Sequence, residues 1–206
     1  APEFSSAQIR FIVVHKQFSC PMPFEFKRAP LDGLWIIKPK RYSDKRGYFE
    51  ECYQSEVFAG QGISEPFVQD NQSYSQKGAI RGLHFQKPPY AQAKLVRAVT
   101  GKILDVVIDI RSTSKTFGNH FSIELGEADG EMLYLPEGFA HGFAVLSNEA
   151  LVHYKTSRYY NPEAEGGIIW NDPDLEIDWK TEDPCLSNKD AQLPSFKALV
   201  ESCSPS

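Results

Sequence analysis

From Phe24 onward, apolar and polar residues alternate with a period of two over short stretches, the pattern of strands that bury one face. Leu34-Trp35-Ile36-Ile37 predicts one strand. Lys102 to Ile110 predicts another, rich in β-branched residues, with Asp105 and Asp109 on one face. Phe121 to Leu125, Met132 to Leu135 and Ala150 to Thr156 continue the series. Turn-forming residues separate these runs: Asp44 to Gly47, Pro88-Pro89, Gly118-Asn119, Asp129-Gly130, Asn161-Pro162 and Asp172-Pro173.

Helical signals are sparse. Ser55 to Ala59, ahead of Gly60, predicts one or two turns capped by Ser55. Residues 195–201 predict a second short helix. Many short strands and few helices make an all-β sandwich or barrel, and a jelly roll is the expected form. There are no repeats, low-complexity runs or obvious linkers, so residues 24–201 read as one domain. Residues 1–23 read as an N-terminal extension or expression remnant: their apolar run, Phe11 to Val14, is too short for a signal-peptide core of roughly 7–15 residues. Residues 202–206 read as a frayed tail.

At 206 residues the chain is long enough for one well-filled core, and 41% hydrophobic with 24% charged residues is ordinary for a soluble globule. No apolar run approaches the ~18 residues of a membrane span. A net charge of −5 argues against general nucleic-acid affinity, so an anionic ligand needs a local cluster of Arg and Lys. Cys20, Cys52, Cys185 and Cys203 form no Cys-x-x-Cys pair. They read as reduced thiols of a cytoplasmic protein.

Three segments carry the chemistry: Arg81-Gly82-Leu83-His84-Phe85-Gln86, Pro136 to Phe143 with His141, and Leu186-Ser187-Asn188-Lys189-Asp190. They supply two histidines, two cations and a carboxylate, the equipment for moving a proton on carbon beside a carbonyl while gripping an anion. With them, Arg46-Gly47-Tyr48-Phe49, Gln69-Asp70-Asn71, Lys94-Leu95-Val96, Tyr154-Lys155, Tyr160 and Trp170-Asn171-Asp172-Pro173 stand in order. Over about Phe24 to Asp190 the chain resembles the dTDP-4-dehydrorhamnose 3,5-epimerase family. The resemblance implies a cupin-type jelly-roll barrel with a few short helices, a homodimer, no cofactor and a dTDP-sugar substrate.

It also implies roles. The C4 ketone of the family's substrate acidifies C3–H and C5–H, so inversion needs a base on one face, enolate stabilisation and an acid on the other face. His84 matches the base, Asp190 the carboxylate that pairs with it, Tyr154 the acid and Lys94 the group beside the developing oxyanion. A nearby cation is expected to lower the Tyr154 pKa from its usual value of about 10. His141 matches a sugar contact. Arg46, Arg81 and Lys189 match the diphosphate grip. Tyr160 matches a stacking platform for thymine with Phe49 nearby, and Tyr48 is expected in the core. Gln69, Asn71, Glu51 and Glu165 match nucleoside and sugar contacts, with Glu51 chosen over Glu50 on register alone.

Read singly, these residues have plainer roles: a hydrogen-bonded strand histidine, a tyrosine filling the barrel, an exposed strand lysine. A metal site is not expected, because Phe85-Gln86 follows His84 where metal-binding barrels carry His-x-His. Three further readings remain: an epimerase inverting only C3 or only C5, a non-catalytic nucleotide-sugar-binding jelly roll and, more distantly, a metal-dependent dioxygenase.

Overall fold

In the computed structural model, which describes residues 22–203, two antiparallel sheets face one another. The strands are β1 (Phe24–Arg28), β2 (Trp35–Pro39), β3 (Arg41–Asp44), β4 (Gly47–Glu50), β5 (Gln69–Gln76), β6 (Ile80–Gln86), β7 (Lys94–Thr100), β8 (Lys102–Asp109), β9 (His120–Gly126), β10 (Met132–Leu135), β11 (Phe139–Val145), β12 (Glu149–Thr156) and β13 (Glu165–Gly167). One sheet has six strands in the order β1-β2-β10-β7-β12-β5. The other has five, in the order β13-β6-β11-β8-β9. Sequence neighbours are repeatedly separated in space, and the architecture is the expected cupin-like jelly roll.

The strands form three apolar layers. Between the sheets, Val96, Ala98, Ile103, Val107, Leu133, Leu135, Phe143 and Val152 pack together. The outer face of the five-stranded sheet carries Leu83, Leu104, Val106, Ile108, Ala140 and Ala144, covered by Ile168, Leu175 and Trp179 of the C-terminal segment. The outer face of the six-stranded sheet, through Ile37, Leu95 and Met132, is covered by Phe58 and Ile63. β8 and β11 are therefore buried on both faces, which explains their nearly unbroken apolar sequences.

Helix α1 (Ser55–Gly60) stands where expected, but its cap differs. Gln54 is the extended N-cap residue (φ −144°, ψ 112°) and makes no side-chain cap bond, while Ser55 is already inside the first turn. Helix α2 (Phe196–Cys203) runs two residues beyond the expected end and takes in Ser202 and Cys203 of the expected tail. The expected extension lies outside the described residues except for Met22 and Pro23. Cys20 lies outside them too; Cys52 and Cys185 are free thiols. Among the described residues no helix is long and apolar enough to cross a membrane.

Among the described residues, strands β3 and β4 pair with each other alone, as a separate hairpin. Tyr48 is not in the core: it is half exposed, with the Arg41 guanidinium 4.2 Å from its ring centre. The expectation failed because, among the described residues, this hairpin has no covering layer.

Candidate active site

Period-two geometry sends every second side chain of each sheet into the space between them. On β6 and β11, His84 and His141 are direct register partners. On the facing sheet, Lys94 of β7 pairs with Thr156 of β12, which places Lys94 near Tyr154, two residues away on the same strand. The histidines thus come from one sheet, and the lysine and phenol from the other. A cavity of about 470 Å³ is lined by His84, His141, Lys94, Tyr154, Arg81 and Asp190, among others. An adjoining space of about 240 Å³ shares His84, Lys94 and Tyr154 and adds Gln69, Asn71, Tyr160 and Glu165.

Backbone closeness makes this possible. A Cβ at Gly82 would lie 2.5 Å from Gly142 Cα, and φ there is +125°. Only glycine suits both the space and the conformation. The close approach of β6 and β11 sits at the register shift between His141 and Phe143, beside both histidines.

His84 Nε2 donates to Asp190 Oδ1 at 2.7 Å. Asp190 is buried, in a 3₁₀ turn over Asp190–Gln192, and its backbone N–H donates to Ser187 Oγ. Burial opposes its charge. The hydrogen bond and charge of His84, with the Gly82 N–H and Ser187, outweigh burial and hold the carboxyl below its ordinary range. An ionised carboxylate only accepts, so Nε2 carries a proton and Nδ1 is the ring nitrogen that Asp190 does not engage.

Lys94 is buried, and burial pushes its ammonium down to about 8, against the attraction of Asp105 and Glu165. Its Nζ lies 3.5 Å from the His84 carbonyl oxygen, which it faces as donor. Tyr154 differs from expectation. Burial raises its pKa, and the opposing charge of Arg81 does not overcome this. The phenol is firmly protonated at neutral pH: a proton donor, not a ready phenolate. His141 Nε2 faces both oxygens of Asp105, at 2.9 and 3.1 Å. Asp105 is fully buried.

Around the outer space, Gln69 donates to Asn71 Oδ1 at 2.9 Å, and its own Oε1 accepts from the Tyr160 N–H. The Tyr160 hydroxyl and the Lys189 ammonium both donate to Glu165 Oε2. Burial works against the Glu165 charge, but these two donors hold its pKa below the ordinary value. Arg81 Nε donates to Ser75 Oγ at 2.9 Å. Gln86 ties loops together: its amide donates to the carbonyls of Tyr90 and Tyr159, and its Oε1 accepts from the Asn161 N–H.

Three sequence candidates stand apart. Arg46 is highly exposed and pairs with Asp44, and with Phe49 it lines a different space on the β3–β4 hairpin. Glu51 is exposed just after β4. Glu50 is consumed structurally, accepting from Arg41 Nε and Arg97 Nη2 at 2.6 Å each. Two residues escaped the sequence reading. Ser73 lines the main cavity, and its buried Oγ has no hydrogen-bond partner among the described residues. Asp105 is the partner of His141. The signal for Asp105 was available, a carboxylate in phase with the apolar face of β8; Ser73 in a polar run gave none.

Comparisons with known proteins point to one family. A family profile described as dTDP-4-dehydrorhamnose 3,5-epimerase matches residues 28–198. The chain is 48% identical over 170 residues to the dTDP-4-dehydrorhamnose 3,5-epimerase of Shigella flexneri, covering 82% of this chain and 94% of that one. It is 45% identical over 170 residues to the enzyme of that name from Methanothermobacter thermautotrophicus, covering 81% and 91%. It superposes with TM-score 0.84 and 42% identity on the dTDP-6-deoxy-D-glucose-3,5-epimerase of Legionella pneumophila, solved with dTDP-4-keto-L-rhamnose, covering 88% and 97%.

Proposed function

The chain belongs to the dTDP-4-dehydrorhamnose 3,5-epimerase family, and on that premise we propose that it inverts C3 and C5 of dTDP-4-dehydro-6-deoxy-glucose to give dTDP-4-dehydro-L-rhamnose. One observation carries the mechanism: His84 on one sheet, paired with Asp190 of a 3₁₀ turn, shares a single cavity with a phenol and a lysine of the other sheet. In this reading His84 Nδ1 takes the proton from C3 or C5. The C–H electrons form a C=C bond and the charge moves to the C4 oxygen. Lys94 meets that oxygen. Tyr154 delivers a proton to the opposite face of the carbon, which inverts it. The phenol and the imidazolium then exchange protons with solvent. The ketone is its own electron sink, so the reaction calls for no cofactor.

Arg81 and Lys189 serve as the diphosphate grip and Tyr160 as the base platform. Arg46 and Phe49 enter this reading through a homodimer. Their hairpin pairs with neither large sheet, and it exposes Tyr42, Tyr48 and Phe49 at 47%, 50% and 65%. Such a patch marks an interface. Strand β5, the free edge of the six-stranded sheet, carries Gln69 and Asn71 of the outer space. A second copy adding its hairpin along that edge would bring a guanidinium and an aromatic ring to each site, reciprocally. Glu51 would travel with them. Free thiols at Cys52 and Cys185 support a cytoplasmic setting.

The test is incubation with the 4-keto sugar nucleotide in heavy water, followed by NMR. Deuterium at both C3 and C5 of the L-configured product supports the double inversion. Label at one carbon only means a single-site epimerase, and none means a binding protein.

A further inference from the structure

Asp105 is a carboxylate inside an apolar layer. Its strand face continues through Ile103 and Val107, both fully buried between the sheets. It is itself fully buried, and it is not among the residues lining the cavity. An unpaired carboxylate there would cost several kcal/mol. The chain places two partners over it. His141 turns Nε2 toward both of its oxygens, at 2.9 and 3.1 Å. Lys94 lies near enough for Asp105 to be the foremost charge opposing the loss of its proton on burial, ahead of Glu165. Both partners line the cavity, His141 from the five-stranded sheet and Lys94 from the six-stranded one.

We propose that Asp105 is a positioning residue for the oxyanion site: from beneath the cavity it fixes the ring of His141 and keeps the Lys94 ammonium charged, without touching substrate. This rests on the epimerase reading and assigns Asp105 a task that the base–carboxylate pair and the phenol do not perform. Hydrogen bonding through Nε2 leaves Nδ1 as the His141 nitrogen that Asp105 does not engage, on a ring that lines the cavity. The charge environment of Lys94 comes from every neighbouring strand. Asp105 on β8 and Glu165 on β13 are the anions that favour its charge. His84 on β6, His141 on β11 and Tyr154 on β12 share its cavity, with Arg81, Lys189 and Asp190 further round.

The sign follows. If charged Lys94 is required, turnover falls as pH rises through its pKa, which lies near 8. Removing the Asp105 charge lowers that pKa, so the alkaline fall moves to lower pH. For Asp105→Asn, the expected shift in the alkaline limb of kcat/KM is about one pH unit toward acid, the usual effect of losing a nearby opposite charge. Activity at pH 8.5 then drops several-fold more than at pH 6.5. Dissociation constants for dTDP and melting curves report on the fold.

A folded Asp105→Asn protein whose profile is merely scaled down, with an unmoved limb, overturns the proposal and leaves Asp105 a structural residue. If Asp105→Asn does not fold, ¹⁵N NMR of histidine-labelled wild-type protein decides: a proton on His141 Nε2 is expected, and a ring with Nε2 bare overturns it. Failure of the wild-type enzyme to exchange C3–H or C5–H is a different result, which removes the epimerase reading instead.

Discussion

Asp190→Asn tests the base most directly. The substitution preserves shape, and the amide oxygen can still accept from His84 Nε2 across the 2.7 Å gap. It removes the charge that steadies the imidazolium formed as the proton leaves carbon. A buried hydrogen bond to a charged partner contributes about 1.5–3 kcal/mol against about 1 for a neutral one. The difference alone corresponds to roughly a 10-fold loss of rate at 1.36 kcal/mol per decade. Full Coulomb loss at about 4 Å with an effective dielectric near 20 is about 4 kcal/mol, or roughly 1,000-fold. If the amide instead turns its NH₂ toward Nε2, the ring protonates at Nδ1 and the base is lost, which makes the deficit larger still. We therefore expect kcat to fall by between about 10- and 1,000-fold at neutral pH, with dTDP affinity changed less than about twofold. Single-turnover loss of the C3 and C5 proton signals in heavy water measures the first, and calorimetry with dTDP the second. A variant that exchanges either proton within twofold of the wild-type rate would refute the assignment of the dyad.

Tyr154→Phe separates removal from delivery of the proton: solvent deuterium should still enter at the His84 face while inversion falls at least about 100-fold, and unimpaired formation of the L-epimer would place the acid elsewhere. Mixing separately inactive His84→Ala and Arg46→Ala proteins under subunit exchange should restore activity, because one site of a mixed dimer is then intact; no recovery in verified heterodimers rules out the shared site. Asp109, fully buried, is held far below the ordinary carboxyl range: burial opposes its charge, and donors from Arg111, Ser114 and Thr116 prevail. A depressed folded pKa contributes stability above the unfolded value of about 3.9 and loses it as pH falls further. Asp109→Asn should therefore cost about 1–3 kcal/mol in urea unfolding at pH 7 and less at pH 3; an equal deficit at both pH values contradicts this.

Strands that bury apolar residues were legible in the chain. β8, β9, β10 and β12 announced themselves because each fills an apolar layer. β5 did not. Its sequence, Gln69 to Gln76, has one aromatic residue and no aliphatic one. Its inward positions, Gln69, Asn71 and Ser73, border the cavities instead of the core. Polarity there belongs to the ligand space, and it erases the alternation by which a strand is recognised. The β3–β4 hairpin was read only as a turn for a related reason: among the described residues no layer covers its exposed aromatics. The acidity of Tyr154 was misjudged because sequence shows a cation such as Arg81 but not the degree of burial, and burial prevails. The partners His84 and Asp190 lie 106 residues apart, a contact that spacing alone does not disclose.

The jelly roll supplies what inversion of a carbon requires. An acid and a base must reach the same atom from opposite sides, so they must stand on surfaces that face each other. Two sheets with a ring-sized gap meet that condition once one inward position on each becomes polar. The physical cost is a set of charges inside an apolar layer, and the chain answers each locally. Asp190 is matched by His84, Asp105 by His141, and Lys94 by Asp105 with Glu165. Asp105 is common to two of these groupings, so removing its charge leaves both His141 and Lys94 without a buried partner. The same linkage that keeps the layer stable therefore couples base, oxyanion site and rim. That is why a residue outside the cavity, Asp105, is expected to be felt in the pH dependence of the chemistry within it.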